Sequence, residues 1–267
     1  MSPPVSVRLQ PASRRRAAGD RILLAHRRYT SQYGDALASG VAYATLLGGV
    51  PAAVLLSAAV PGPVDWLGDG VRVLLPATVV DLAVGLPLES LPLRAVLVVA
   101  LAWSSLRLVR ASRTSARAMC RQRAGTGNPV RDLAVDLRLG GALGGLALAA
   151  VTAVSLAAAA GGRLLAVPAA VLVWTGVLTL LPRLLTHPLP GRPPWAATVR
   201  PALAGAVLLV VATTLADGYV RLTEQVHEDL YRSAGVLVGV AVWVSVSARI
   251  VLRSLAWAAT AGGEELT

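Results

Sequence analysis

Lysine and phenylalanine are missing from this chain, and cysteine occurs once. Without lysine, all 25 basic residues are arginine, and the abundance of Ala, Val, Leu and Gly points to GC-rich coding and a bacterial source. Cys120 alone excludes an intrachain disulfide, and the scattered His26, His187 and His227 offer no metal-ligand spacing, so no cofactor is expected. Charge is scarce too: 15% of residues are charged against 55% hydrophobic, with a mean hydropathy of +0.64. A soluble domain needs about a quarter of its residues charged to cover its surface. That excludes an ordinary water-soluble fold. What the chain has instead is long apolar runs, and their solvent is lipid.

A bilayer core about 30 Å thick takes roughly 20 apolar residues of helix. Residues 36–60, 139–162 and 164–182 are apolar runs whose one ionisable side chain is Tyr43. Residues 201–220 and 233–252 qualify with one charge each, Asp217 and Arg249, both within reach of an interface where the cost of a charge falls. The stretch between Arg94 and Arg107 is short, and parity supports it. With it, seven arginines before the first span and eight after the second (Arg107 to Arg138) lie on one side, and 20 arginines face inward against five outward. The positive-inside rule then puts both termini in the cytoplasm. The expected fold is all-α, a polytopic helical bundle with spans at 36–60, 91–109, 139–162, 164–186, 201–222 and 233–255, together the membrane domain 36–257. The expected site is the bacterial inner (plasma) membrane, with a retained signal anchor as first span. Residues 1–35 read as a basic cytoplasmic tail and 258–267 as a second tail, both poorly ordered. Residues 61–93 hold Asp65, Asp69, Asp81 and Glu89 among turn signals, and read as an external excursion with short interfacial helices and Trp66 at headgroup depth; a re-entrant hairpin is the alternative.

Arg107, Arg110, Arg113, Arg117 and Arg121 fall within an arc of about 120° on a helix turning about 100° per residue. They predict a cytoplasmic continuation of the second span, over 107–123, whose basic stripe contacts anionic lipid headgroups at about 1 kcal/mol per residue. Its other side presents Ala111, Ser115, Ala116 and Met119. Topology already accounts for the net charge of +11, and without interleaved aromatics for base stacking nucleic acid is not an expected partner. Small residues four apart (Ala44 and Gly48, Gly140 and Gly144, Gly141 and Gly145, Gly235 and Gly239) let helices approach closely, first within the bundle and alternatively in a homo-oligomer.

Hydroxyls within the spans, among them Ser104, Ser105, Thr213 and Thr214, are read as interhelical glue or as bonds to the preceding turn. Asp217 and Arg249 are functional candidates because intramembrane charge is costly, and they sit too near opposite faces to pair. Pro51 and Pro168 each remove a backbone donor and predict kinks. No Walker loop, zincin motif, nucleophile elbow or catalytic carboxylate pair occurs in the sequence.

The order of segments is similar to the YihY/BrkB family of six-span inner-membrane proteins over about residues 25–257. Ala42-Tyr43, Leu46-Leu47 and Pro51 resemble that family's A-Y-x-x-L-L-x-x-x-P pattern, and Trp103-Ser104-Ser105 before the arginine-rich helix resembles its W-S-x-S segment. Leu180-Leu181-Pro182, Trp195, Pro201 to Ala206, then Tyr231-Arg232-Ser233-Ala234-Gly235 and Trp243 complete the resemblance. Two positions depart from it: Arg232 stands where the family has Gly, and Leu252-Arg253-Ser254 where it has Gly-Ala-Glu. The resemblance adds Tyr43, Pro51, Trp103, Ser104, Ser105, Tyr231 and Ser233 to the functional candidates.

The resemblance implies a membrane protein that moves a lipid-like or small solute. A ribonuclease activity, once attached to the family, would need clustered acid/base groups or metal on the cytoplasmic side, where Asp132 and Asp136 are the acidic residues at hand. The expectation is therefore a non-enzymatic permease or flippase-like transporter with a path bounded by spans one, two, five and six. The alternative is a scaffold that binds a partner through its arginine-rich segment.

Overall fold

The computed structural model describes residues 11–59, 91–120, 129–185, 195–226 and 229–261, all of them in helices or the turns that adjoin them. The helices are α1 (Pro11–Ser31), α2 (Gly34–Ala59), α3 (Leu91–Met119), α4 (Pro129–Leu185), α5 (Trp195–Val226) and α6 (Asp229–Ala261). The expected interfacial helices with Trp66 lie outside the described residues, as do Arg121 to Arg123.

Four described segments, Val130–Gly162, Leu164–Leu185, Ala197–Tyr219 and Val238–Thr260, are long and apolar enough to cross a membrane. Their outer surfaces suit that solvent, since Leu148, Leu156, Leu172, Leu215 and Val238 are all exposed. This is a membrane protein built of apolar helices.

Small residues set how closely the helices approach. A Cβ on Gly48 would stand 3.2 Å from Ser104 Oγ, which places the middle of α2 against the middle of α3. A Cβ on Gly205 would collide with Ser254 Oγ and lie 2.9 Å from Leu178 Cδ1, so α4, α5 and α6 converge where only a hydrogen fits. Gly140 faces Val109, whereas Gly141, Gly144 and Gly145 face open space. None of the three packs against another described residue.

Inside α4 the helical dihedrals break at Gly161 and Gly162, the latter with φ 56° and ψ −147°. That conformation is reserved for glycine. The break divides α4 into two arms where the sequence predicted two spans, and it falls at the glycine pair rather than at Pro168. Pro168 sits in the second turn of the returning arm, which runs on as helix through it. α2 runs as helix through Pro51.

Two boundaries differ from expectation. Residues 11–31 form a helix where a loose tail was predicted, and Ala25, Arg28 and Tyr29 on it are buried. Those positions, at i, i+3 and i+4, make a stripe for α6 to cover; the stripe was hidden in the sequence because one member is an arginine whose methylene stem can pack while its head stays polar. At the other terminus α6 continues to Ala261 with Ala256, Ala258 and Ala259 buried. The largest core cluster joins Tyr29 of α1, Ala38 and Ala42 of α2, Met119 of α3, Leu185 of α4 and Leu252, Leu255 and Ala256 of α6. Starts and ends of several helices therefore meet at one end of the bundle, called here the Tyr29 end.

Candidate functional site

Two charged networks gather there. The first ties α3 to the opening turns of α4. Asp136 accepts from Arg113 Nη1 at 2.7 Å and from Arg110 Nε at 3.1 Å, while Arg113 Nη2 lies 3.8 Å from Asp132 Oδ1. Asp132 and Asp136 sit four residues apart at the N-terminal side of α4, and the arginines near the C-terminal side of α3. Both placements suit the helix dipoles.

Arg113 and Asp136 are only 6% and 5% exposed, so this pair is desolvated and each charge depends on the other. The predicted headgroup contact of Arg113 is therefore corrected: its charge turns inward. Arg117, one turn on, is partly buried and its Nε meets no hydrogen-bond acceptor among the described residues. Burial, then the neighbouring Arg113, lower its pKa from the ordinary guanidinium value. Arg110 keeps over half its side chain exposed, and Arg107 stacks on Trp103 at 4.1 Å from Cζ to ring centroid.

The second network joins α1, α2 and α6. Tyr29 Oη donates to Asp35 Oδ1 at 2.9 Å, and Arg249 Nε lies 3.4 Å from the same oxygen. Arg253 stands over the Tyr29 ring at 5.1 Å, a cation–π contact. A Cβ at Gly34 would fall 2.5 Å from the ring, so glycine there admits the tyrosine. Burial foremost, then the bond to Asp35, push the Tyr29 hydroxyl up to about 12. Asp35 lies in the first turn of α2, which sets Arg249 level with the start of that helix rather than deep along it.

Most of the remaining hydroxyls are used by their own helices. Ser104, Ser155, Thr175, Thr179 and Thr214 each donate to the carbonyl four residues back. Thr213 does the same and also accepts Trp243 Nε1 at 3.1 Å, pinning α5 to α6. Buried Ser247 Oγ has no hydrogen-bond partner among the described residues.

Of the sequence candidates, Ser104 is buried against α2, Ser105 is half-buried, and Tyr43 and Trp103 are exposed. Asp217 is half-buried toward the end of α5 and is not without a partner. Tyr231 and Ser233 lie in the first turns of α6. The structure brings Arg249 together with Asp35, Tyr29 and Arg253, of which sequence reasoning singled out Arg249 alone. The available signal was the acidic residue opening the first span, read as tail. Among the described residues no three His, Cys, Asp or Glu side chains group as metal ligands.

The family model for virulence factor BrkB matches residues 25–266. The chain belongs to the BrkB family. That range begins within α1 and takes in every later helix, so both charged networks lie inside the family unit. No curated protein and no solved structure matches the chain.

Proposed function

We propose that this BrkB-family protein is a six-span protein of the bacterial inner membrane that moves a lipid-like solute, with α2, α3, α5 and α6 bounding the path. Six spans with cytoplasmic termini are supported by the cluster at the Tyr29 end. The start of α2, the end of α3, the end of α4 and the later turns of α6 all contribute to it, as alternating crossings require. The Arg113–Asp136 pair adds the start of α4 to the same level.

The transport reading is carried by one observation: the Asp35–Arg249 pair is half-exposed on the outside of the bundle, at 64% and 46%, beside an apolar helix face. An ionised pair held beside an apolar membrane-facing surface is a functional-site hypothesis in itself, and solute contact is the role assigned to it here. The scaffold alternative has less support, because the charge of Arg113 is committed to Asp136.

The test is reconstitution of the full chain into vesicles with a fluorescent phospholipid, following its movement between leaflets. The wild type is expected to accelerate movement, and Asp35→Asn with Arg249→Gln together to remove the acceleration. Vesicles holding folded wild-type protein that move lipid no faster than empty vesicles would sink the reading.

A further inference from the structure

The outward face of α6 carries a shallow groove of about 370 Å³ lined by Val238, Ala241, Val242, Ser245, Val246 and Arg249. Its spacing of three and one residues is a single helical stripe. Val238 and Val242 are each 56% exposed, so no other described helix covers the stripe.

At a rise of 1.5 Å per residue, Val238 to Arg249 spans about 16 Å, close to the depth of one leaflet of a core about 30 Å thick. The apolar part lies toward the middle of the bilayer and the guanidinium at its boundary, where Asp35 opens α2.

Charge and donors at the boundary end specify the occupant. Asp35 meets Arg249 through Nε, and a guanidinium has five N–H donors, so the pair orients the fork without exhausting it. Arg253, exposed one turn further on, adds a second positive charge, and Tyr29 beside it is neutral at ordinary pH. Arg249, Arg253 and Asp35 thus sum to one net positive charge. Ser245, one turn from Arg249 within the groove, has no hydrogen-bond partner among the described residues, unlike most hydroxyls on the neighbouring helices. An apolar track one leaflet deep, a free hydroxyl near its end and a single surplus positive charge match one acyl chain below one phosphodiester.

We propose that this face of α6 binds an anionic phospholipid, with its phosphate at Arg249 and an acyl chain along Val238, Val242 and Val246. The site rests on the lipid-handling reading above and names the class of lipid.

The experiment is native mass spectrometry of the full chain exchanged into mixed phosphatidylglycerol and phosphatidylcholine micelles, counting retained lipids of each kind. The wild type is expected to retain phosphatidylglycerol preferentially, and Arg249→Gln to lower that preference about fivefold, the effect of one basic residue at a membrane surface. Val242→Trp fills the track without changing charge and should also lower retention, which keeps the test decisive where the arginine variant fails to fold. Asp35→Asn should keep the preference, since it frees Nε.

An unchanged ratio in Arg249→Gln overturns the site. So does equal loss in Asp35→Asn, which would make the pair purely structural, and so does a dimer cross-linked through Val242→Cys, which would put a second copy on the face. Retained preference with no lipid movement in vesicles would leave the site standing and remove the transport reading; movement without preference would do the reverse.

Discussion

Tyr29 shows how one side chain can carry a proton-linked share of stability. Its ring is buried at the junction of α1, α2 and α6, its hydroxyl donates to Asp35, and its pKa rises from an ordinary 10 to about 12. The folded state therefore holds the proton more tightly than the unfolded chain does. A raised pKa contributes stability that is fully present below about pH 10 and is lost as pH climbs through about 12. Tyr29→Phe keeps the ring and removes the hydroxyl, a loss of about 1 kcal/mol below pH 10. The stability difference between wild type and Tyr29→Phe, from denaturant unfolding in detergent, should shrink between about pH 10 and 12. A constant gap across that window would show that neither burial nor the bond to Asp35 biases the proton.

At the scale of elements, the Arg113–Asp136 pair works as a strap between α3 and α4. Beyond the strap, the first arm of α4 is held by Leu139 and by Val151 and Val154 packed with Ala170 and Trp174 of the returning arm, while Gly141, Gly144 and Gly145 face open space and Leu148 and Leu156 are exposed. Asp136→Asn leaves Arg113 as a desolvated charge without its counter-ion, a change that costs about 3–5 kcal/mol when such a pair is broken from one side. The variant is expected to melt well below wild type, with early proteolysis near Pro129, whereas Asp132→Asn, at 3.8 Å from Arg113, should change little. Equal melting of Asp136→Asn and wild type would mean that apolar packing, not the strap, positions the arm. The strap also explains what the sequence hid. Apolar length revealed most of the helices, and the glycine pair in α4 was legible as a break between two runs. The inward turn of Arg113 was not, because an arginine stripe looks the same whether it faces lipid or an aspartate on the next helix. Only the pairing of α3 with α4 decides between them.

For the whole molecule, the arrangement of ends makes a topological prediction. A reporter fused after Cys120 should behave as cytoplasmic, and one inserted between Gly161 and Gly162 as external, because the first belongs to the Tyr29 end and the second to the turn between the arms of α4. The opposite pattern would invert the bundle, and the same readout at both sites would remove a crossing. The arginine counts lead to the same prediction, yet the site stayed illegible: Asp35, Arg249 and Arg253 are distant in sequence, and the hydropathy pattern carries no record of which helices close against which. That closure has a consequence for synthesis. α1 leaves the ribosome before α6, but the surface that buries Tyr29 includes Leu252 and Leu255, made more than 200 residues later. Until α6 is made, α1 lacks that part of its cover, so a chain stalled or cut before α6 would display a partly uncovered α1. A membrane protease would thereby be able to tell finished molecules from unfinished ones at the end opposite the break.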